Sequence, residues 1–288
     1  MQGPAPRAPV PRCPCATGPK SVSSLPLGGE TVTTTNDGVK LAYRVLGDGP
    51  RTVILVHGWM VSGRVWDDLV AALDLSGIRL VVPDLRGAGD SDKPASGYTI
   101  ERYGRDILGL ADDLDARSFV LVGHSMGGTI SQWIAAHAPA RVDGMLLYCP
   151  VPASGMPGFP EQALELFRNA NNAGAHAAIL GMACTNLSDA GRERLLAAAA
   201  TVPAGCIAEA FEAWRGADFG DALAAVTAHT LVVATDDPFL PPAFLQAAIV
   251  GRIAGARLAE LHGAGHYVPV ERSRESAALL TAFLAGLG

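Results

Sequence analysis

The chain lacks the features that mark membrane, nucleic-acid and cofactor-binding proteins. No uninterrupted apolar run approaches the roughly 20 residues that a membrane span requires. Basic clusters are scarce and the formal net charge is -6, which argues against nucleic acid as a partner. No P-loop, dinucleotide-binding fingerprint or zinc-ligand spacing is present. We therefore expect a small-molecule substrate as the partner, with no cofactor, no metal, no membrane and no nucleic acid.

Cysteine is also sparse, and apart from Cys13-Pro14-Cys15, a poor metal site alone, the cysteines show no paired spacing. The five cysteines are Cys13, Cys15, Cys149, Cys184 and Cys206. Free thiols in a reducing compartment explain an odd, unpaired set most simply, so we expect a cytoplasmic protein. The 288 residues are 49% hydrophobic, which is enough to bury a large core.

The N-terminal segment differs from the rest of the chain. It carries prolines at positions 4, 6, 9, 11, 14, 19 and 26 and lacks the apolar segment of a secretory signal. We expect residues 1–28 to form a disordered, Pro-rich tail without a catalytic role.

Strand and helix patterns alternate from about residue 30 onward. A hairpin signal at Asn36-Asp37-Gly38 joins two strand-like runs, 31–35 and 40–45. Further strands are predicted over 52–56, 79–82, 118–122, 142–148, 230–234 and 256–261, with helices over 64–75, 100–115 and 129–136. Such alternation is typical of an α/β fold with a mostly parallel central sheet flanked by helices.

The most informative stretch is Gly123-His124-Ser125-Met126-Gly127-Gly128. It follows a strand pattern and precedes a helix pattern, the context in which Gly-x-Ser-x-Gly forms a nucleophile elbow. Gly123 and Gly127 are needed because a Cβ at either position would crowd the strand or the helix. Ser125 would then lie at the tip of the turn as a nucleophile.

A serine nucleophile requires a base and an acid, in the chain order Ser, Asp or Glu, His. Asp236 and Asp237 directly follow the strand pattern at 230–234, and His262 and His266 follow the last strand pattern. Open parallel sheets place their ligand sites at the carboxyl ends of the strands, where these residues fall.

Four motifs in order resemble those of the α/β-hydrolase superfamily, in its haloperoxidase/esterase-like branch. Besides the elbow, they are Leu55–Trp59 (LVHGW), Asp84–Ser91 (DLRGAGDS) and Gly263–His266 (GAGH). The resemblance covers about residues 30 to 288 and implies an α/β-hydrolase fold with a helical cap inserted after the sixth strand. It implies a structural role for the Asp84–Ser91 loop and an oxyanion-shaping role for His57.

The resemblance also implies individual roles. Asp237 takes the place of the acid in a pattern like G-x-x-D-x-x-x-P, although Ala234 replaces the usual glycine. His266 takes the place of the base, completing a Ser125, Asp237, His266 triad. The backbone N–H groups of Trp59 and Met126 are the expected oxyanion donors, and both residues are expected to bind substrate.

The alternation of strands and helices stops between the strands at 142–148 and 230–234. We predict a helical cap over residues 151–227, with helices at 161–171 and 192–200, between two parts of the core, 29–150 and 228–288. The large apolar side chains of the cap are Met156, Phe159, Phe167, Met182, Phe211, Trp214 and Phe219. Together with Trp59 they favour a fairly apolar acyl or aromatic substrate.

The resulting prediction is a serine hydrolase that cleaves a small, fairly apolar carboxylic ester or lactone. Alternatives are a carbon–carbon bond hydrolase, a cofactor-free perhydrolase or a ligand-binding receptor with slow turnover. The carbon–carbon hydrolases of this fold usually have asparagine where this chain has His124 and a glycine-rich loop where it has Trp59. Haloalkane dehalogenases and epoxide hydrolases use an aspartate nucleophile, against which Ser125 argues. The sequence leaves the natural substrate and the oligomeric state open.

Overall fold

The computed structural model describes residues 30–35, 37–159 and 161–288. The predicted disordered tail over residues 1–28, with Cys13 and Cys15, lies outside the described residues.

The strands of the described chain form a single eight-stranded sheet in the order β1-β2-β4-β3-β5-β6-β7-β8. They are β1 (Glu30–Thr34), β2 (Lys40–Leu46), β3 (Arg51–Val56), β4 (Ile78–Pro83), β5 (Phe119–His124), β6 (Val142–Tyr148), β7 (His229–Ala234) and β8 (Arg257–Glu260). β1 pairs antiparallel with β2 and β2 with β4, which confirms the predicted hairpin. All other pairs are parallel, so the predicted fold class and mostly parallel sheet are confirmed.

Helices connect the strands and cover the sheet. The α-helices are α1 (Asp67–Ala71), α2 (Ile100–Asp113), α3 (Met126–His137), α4 (Glu161–Arg168), α5 (Ala173–Ala183), α6 (Asp189–Ala200), α7 (Ala204–Arg215), α8 (Pro242–Ala248), α9 (Val268–Glu271) and α10 (Ser273–Ala285). Short 3-10 helices span Gly63–Trp66, Pro139–Arg141, Gly220–Ala225 and Val250–Arg252.

The helix predicted over residues 64–75 is confirmed as an α-helix only over Asp67–Ala71. Its first turn is a 3-10 helix, and α1 ends at Ala71. The carboxylate of Asp74 accepts hydrogen bonds from both the backbone N–H (2.9 Å) and the hydroxyl (2.7 Å) of Ser76. This local turn, followed by Gly77 at φ 77°, competes with continued helix.

The helical insertion follows the sixth strand, as predicted. Helices α4 to α7 and the 3-10 helix Gly220–Ala225 lie between β6 and β7. The boundaries of a separate cap at residues 151 and 227 remain a prediction. Taken alone, no described helix has the length and apolar composition of a membrane span; only α6 and α7 meet that test together, and they are bent by 102°.

The buried centre of the sheet brings the candidate residues to one edge. Every residue of β5 is buried, because helices pack on both faces of an inner parallel strand. Strands β3, β5, β7 and β8 run in the same direction, so the residues that follow them meet at the carboxyl edge.

Candidate active site

Ser125 lies in a sharp turn between β5 and α3. Its φ of 55° and ψ of -122° are uncommon for a residue with a side chain. A Cβ built on Gly123 would lie 2.6 Å from the Gly127 carbonyl oxygen, and one on Gly127 would lie 2.1 Å from that of Val56. Both glycines are therefore required by space, as the sequence indicated.

Asp237 and His266 form a tight hydrogen-bonded pair at the ends of β7 and β8. The imidazole Nδ1 lies 2.6 Å from Asp237 Oδ2. The second carboxylate oxygen accepts the backbone N–H of Phe239 at 2.8 Å. Because the carboxylate can only accept, Nδ1 carries the proton and Nε2 keeps a free lone pair. The pair thus has the tautomer that a general base requires.

Asp236, the alternative acid, lies outside this pair. Its carboxylate contacts His262 Nδ1 at 2.9 Å and the backbone N–H of Gly263 at 2.7 Å. Hydrogen bonds from these two groups lower the pKa of Asp236. Asp236 and His262 therefore pair with each other, and both are exposed. They lie near the start of the histidine loop, residues 263–266.

Thr235 connects the acid to the histidine loop. Its hydroxyl donates to the Gly265 carbonyl at 2.9 Å and accepts the backbone N–H of Asp237 at 3.2 Å. The thiol of Cys149 lies 3.2 Å from the same hydroxyl oxygen. These buried hydrogen bonds fix the relative positions of Asp237 and His266, since unpaired buried groups are costly.

Ser125 and His266 line the same cavity. Within the described residues, Ser125 Oγ has no direct hydrogen bond to the imidazole. Hydrogen bonds of this kind are often long in a free enzyme and shorten when substrate binds. The structure therefore brings all three predicted triad residues to one site, and their catalytic roles remain predictions.

The two predicted oxyanion donors are free to bind an anion. Neither the Trp59 nor the Met126 backbone N–H donates a hydrogen bond within the described part of the chain. Met126 opens α3, whose N-terminus favours negative charge. Gly58 lies so close to the elbow that a Cβ on it would be 2.9 Å from Ser125 Cβ. This geometry suits an oxyanion hole, although the assignment itself stays a prediction.

The loop of residues 57–59 after β3, the oxyanion loop, is held in place by hydrogen bonds of the His57 ring. Its Nε2 accepts the Leu85 backbone N–H at 2.9 Å, so Nδ1 must carry the proton that binds the Gly58 carbonyl at 2.8 Å. Burial lowers the pKa of His57 and keeps the ring neutral. This arrangement supports the loop-shaping role that the sequence indicated.

His124 is buried beside His266, with ring centroids 5.0 Å apart, and binds the backbone of the candidate base. Its Nε2 donates to the His266 carbonyl at 2.9 Å, and its Nδ1 has no hydrogen-bond partner among the described residues. Burial, helped by the nearby His266, lowers the pKa of His124 to about 3. His124 is therefore neutral near neutral pH and supports the backbone of His266 through its Nε2–H.

The cavity at Ser125 is mostly apolar. It is lined by Trp59, Ser125, Val151, Met156, Phe159, Phe167, Ile179, Ala183, Trp214, Phe239, Leu240, His266 and Tyr267. No Asp, Glu, Lys or Arg is among these described residues. The site therefore suits an uncharged ligand.

Four of the seven large apolar side chains noted in the insertion line this cavity: Met156, Phe159, Phe167 and Trp214. Phe239, Leu240 and Tyr267 were not predicted to line a cavity, although they lie within three residues of the predicted acid or base. No local sequence pattern indicates that Ile179 and Ala183 line the cavity, because only the tertiary fold places α5 next to Ser125.

Trp59 and Met126 differ in their relation to the cavity. Trp59 lines it and stacks on Phe167, with ring centroids 5.3 Å apart. Met126 lines a second, smaller space, together with Trp59. The predicted contact of Met126 with substrate is thus best placed at its backbone N–H.

The Asp84–Ser91 loop forms structural contacts throughout. Asp84 accepts the backbone N–H groups of Gly63 (2.7 Å) and Asp90 (2.9 Å). The buried Arg86 guanidinium forms two hydrogen bonds with Asp106, at 2.6 and 2.7 Å. These contacts join the loop to its neighbours and agree with the structural role implied by the motif.

Cys149, Asp237 and His266 are the one described group whose potential metal-ligand atoms lie within 4.8 Å of one another. Burial and the Asp237 charge raise the pKa of the Cys149 thiol well above its usual value. A protonated thiol is a poor metal ligand, and the other two groups already bind each other.

Comparison with known proteins agrees with this geometry. A non-heme chloroperoxidase of Kitasatospora aureofaciens is 32% identical over 145 residues, 48% of this chain and 52% of that protein. The chain thus spans about half the length of that relative. A non-heme haloperoxidase of Rhodococcus erythropolis is 28% identical over 251 residues, 81% of this chain and 91% of that protein.

Solved structures and a family model extend the match to most of the chain. The enol-lactonase of Burkholderia xenovorans LB400 superposes with a TM-score of 0.79 at 26% identity, covering 88% of this chain and all of that one. The model of the alpha/beta hydrolase fold matches residues 51–273. The resemblance to the haloperoxidase/esterase-like branch is confirmed, and the chain belongs to the alpha/beta hydrolase fold family.

Proposed function

We propose that the protein is a serine hydrolase that cleaves a small, uncharged and fairly apolar carboxylic ester or lactone through an acyl-serine intermediate. One observation carries the proposal. Ser125, in a strained turn, opens onto the same uncharged cavity as His266, whose Nδ1 is bound to Asp237 at 2.6 Å.

Acylation uses the three side chains in sequence. Ser125 Oγ attacks the carbonyl carbon of the ester while His266 Nε2 accepts the hydroxyl proton. Asp237 keeps the imidazole in the required tautomer and stabilises the imidazolium. The proton then passes from Nε2 to the leaving alkoxide, which departs as an alcohol.

The backbone N–H groups of Trp59 and Met126 stabilise the negative oxygen of the tetrahedral intermediate. Neither amide donates a hydrogen bond among the described residues, and the neighbouring Gly58 lies against Ser125, so little reorganisation is needed when charge develops. One such donor is typically worth about 100- to 1,000-fold in rate.

In the second half-reaction, His266 activates a water that attacks the acyl-serine and releases the acid.

The cavity supports the substrate class. Its wall contains five aromatic side chains from Trp and Phe and no ionised carboxylate or amine. The similarity to an enol-lactonase adds cyclic esters to the candidate substrates.

Cofactor-free perhydrolysis is the second candidate, favoured by the names of the relatives. Two of them are a non-heme chloroperoxidase and a non-heme haloperoxidase. Hydrogen peroxide in place of water would attack the acyl-serine and release a peroxy acid, with Ser125 regenerated. The same triad serves both reactions, so the balance depends on which nucleophile enters the cavity.

Hydrolysis of p-nitrophenyl esters from acetyl to octanoyl tests the proposal. We expect Ser125→Ala to abolish turnover and Ser76→Ala, an exposed serine on another face, to leave it unchanged. Adding peroxide to the parent protein and assaying peroxy acid separates the second candidate from the first. A folded parent without turnover would contradict both and leave carbon–carbon bond hydrolysis or ligand binding without catalysis.

A further inference from the structure

The carboxylate of Glu271 gathers three backbone N–H groups from two separate segments. Its Oε2 accepts the N–H groups of Thr185 and Asn186, each at 2.7 Å. The N–H of Gly265 lies 3.1 Å from both carboxylate oxygens. Thr185 and Asn186 follow α5 in the helical insertion, whereas Gly265 directly precedes the candidate base. One side chain therefore ties the insertion to the histidine loop.

Further hydrogen bonds hold the two segments together. The His266 N–H donates to the carbonyl of Ala183, the last residue of α5, at 2.7 Å. The Asn186 side-chain amide donates to the Gly263 carbonyl at 2.6 Å. A Cβ on Gly265 would lie 2.2 Å from the Ala183 oxygen, so only glycine permits this approach.

We propose that Glu271 is a positioning residue for His266, which couples the end of α5 to the placement of the base. The proposal rests on the role of His266 in the proposed function. Glu271 does not touch the reacting atoms. It fixes the backbone on the N-terminal side of His266, and with it the distance from Nε2 to Ser125.

Carboxylate chemistry explains why glutamate suits this position. Two negative oxygens accept all three N–H groups, and hydrogen bonds to an ionised acceptor are stronger than neutral ones. A glutamine has one accepting oxygen, and its NH2 group would face an N–H donor. In Glu271→Gln the oxygen can still accept from Thr185 and Asn186, but the NH2 group then faces the Gly265 N–H and should displace it. Misplacing a catalytic group by about 1 Å can lower the rate by about 100-fold.

The test compares Glu271→Gln with Glu271→Asp and with Glu101→Gln, an exposed carboxylate on α2 that pairs with Arg105. We would measure kcat and KM for p-nitrophenyl acetate, with active sites counted by complete fluorophosphonate labelling. Glu271→Gln should lower kcat by about 10- to 100-fold with KM changed less than about two-fold. Glu271→Asp should recover part of kcat, and Glu101→Gln should match the parent.

A second readout does not need turnover. The downfield proton NMR signal of the His266 Nδ1–H, identified by its loss in Asp237→Asn, should shift or broaden in Glu271→Gln. An unchanged signal with an unchanged kcat would overturn the proposal, as would an equal loss in Glu101→Gln. If the parent lacks turnover, the proposed function fails, and the NMR comparison still decides whether Glu271 positions His266. Should Glu271→Gln not fold, Glu271→Asp carries both measurements.

Discussion

The two sides of the candidate site are held by different forces. On the side of the sheet, Asp237 and His266 are fixed by buried hydrogen bonds of 2.6 to 3.2 Å. On the side of the helical insertion, Phe159, Phe167 and Trp214 contact one another as rings, with centroids 4.9 to 6.4 Å apart. Hydrogen bonds are directional, whereas ring contacts tolerate many arrangements.

This difference assigns separate tasks to the two sides. The sheet side must hold reacting atoms within a fraction of an ångström, so polar networks suit it. The insertion must accept a substrate of limited size without charge, for which an apolar wall is sufficient. We therefore expect substitutions on the sheet side to lower kcat, and substitutions in the wall to alter KM and substrate choice.

The largest effect should come from the buried acid. Asp237→Asn replaces a group that only accepts with one that also donates, so the imidazole loses its tautomer and its charge partner. We expect kcat for p-nitrophenyl esters to fall about 10⁴-fold with little change in KM. Asp236→Asn, its exposed neighbour, should change kcat less than about three-fold. Equal losses in the two variants would contradict the assignment of the acid.

The hydrogen-bonded side should also give stability a distinct pH dependence. Burial lowers the pKa of His124 to about 3 from an ordinary 6.5. Between these values the unfolded chain binds more protons, so the free energy of unfolding falls as pH decreases below 6.5. His124→Asn should remove up to about 1.4 kcal/mol per pH unit of this dependence, measured by urea unfolding from pH 7 to 4.

His262 provides a control of opposite sign. Its pKa is raised by the hydrogen bond that it donates to Asp236, so its contribution is present below the ordinary value and is lost as pH rises through the folded pKa. His262→Asn should leave the loss of stability on the acid side intact. A parent curve that is flat between pH 7 and 4 would show that His124 is not buried in a neutral form.

A smaller effect, on substrate choice, should come from the aromatic wall. Phe167 lines the cavity and stacks on Trp59. Phe167→Leu should lower kcat/KM for the preferred ester about 10-fold and move the optimum to longer acyl chains, because the cavity grows. Phe211→Leu removes a fully buried ring of the same cluster that does not line the cavity, so the optimum should stay in place. If Phe167→Leu lowered kcat and left the chain-length preference unchanged, the separate tasks of the two sides would be contradicted.

The sheet side was predictable from sequence because its residues directly follow strands. A strand leaves little freedom in where the next residues lie, so the elbow, the acid and the histidine loop could be located from local patterns. The requirement for Gly123 and Gly127 followed from the same local geometry.

The insertion was less predictable, since its contacts join distant parts of the chain. Glu271 meets Thr185 and Asn186 across more than 80 residues, and no spacing in the sequence indicates this contact. Phe211 and Phe167 look alike in sequence, yet only Phe167 lines the cavity. Periodicity identifies which side chains are apolar, while tertiary packing decides which of them face the ligand.

Trp59 belongs to both sides and gives the finest test of the comparison. Its backbone N–H donates no hydrogen bond among the described residues, its ring lines the cavity, and its indole N–H donates to the Ile207 carbonyl of α7 at 2.8 Å. Trp59→Phe removes that hydrogen bond, worth about 1 kcal/mol, and keeps most of the ring. We expect the oxyanion loop to become more mobile and kcat to fall about three- to ten-fold.

Trp214→Phe is the matched control, because the buried Trp214 indole N–H has no hydrogen-bond partner among the described residues. Its loss should change KM rather than kcat, since it alters only the wall. An equal fall of kcat in both variants would mean that ring volume, and not the hydrogen bond to α7, holds the oxyanion loop.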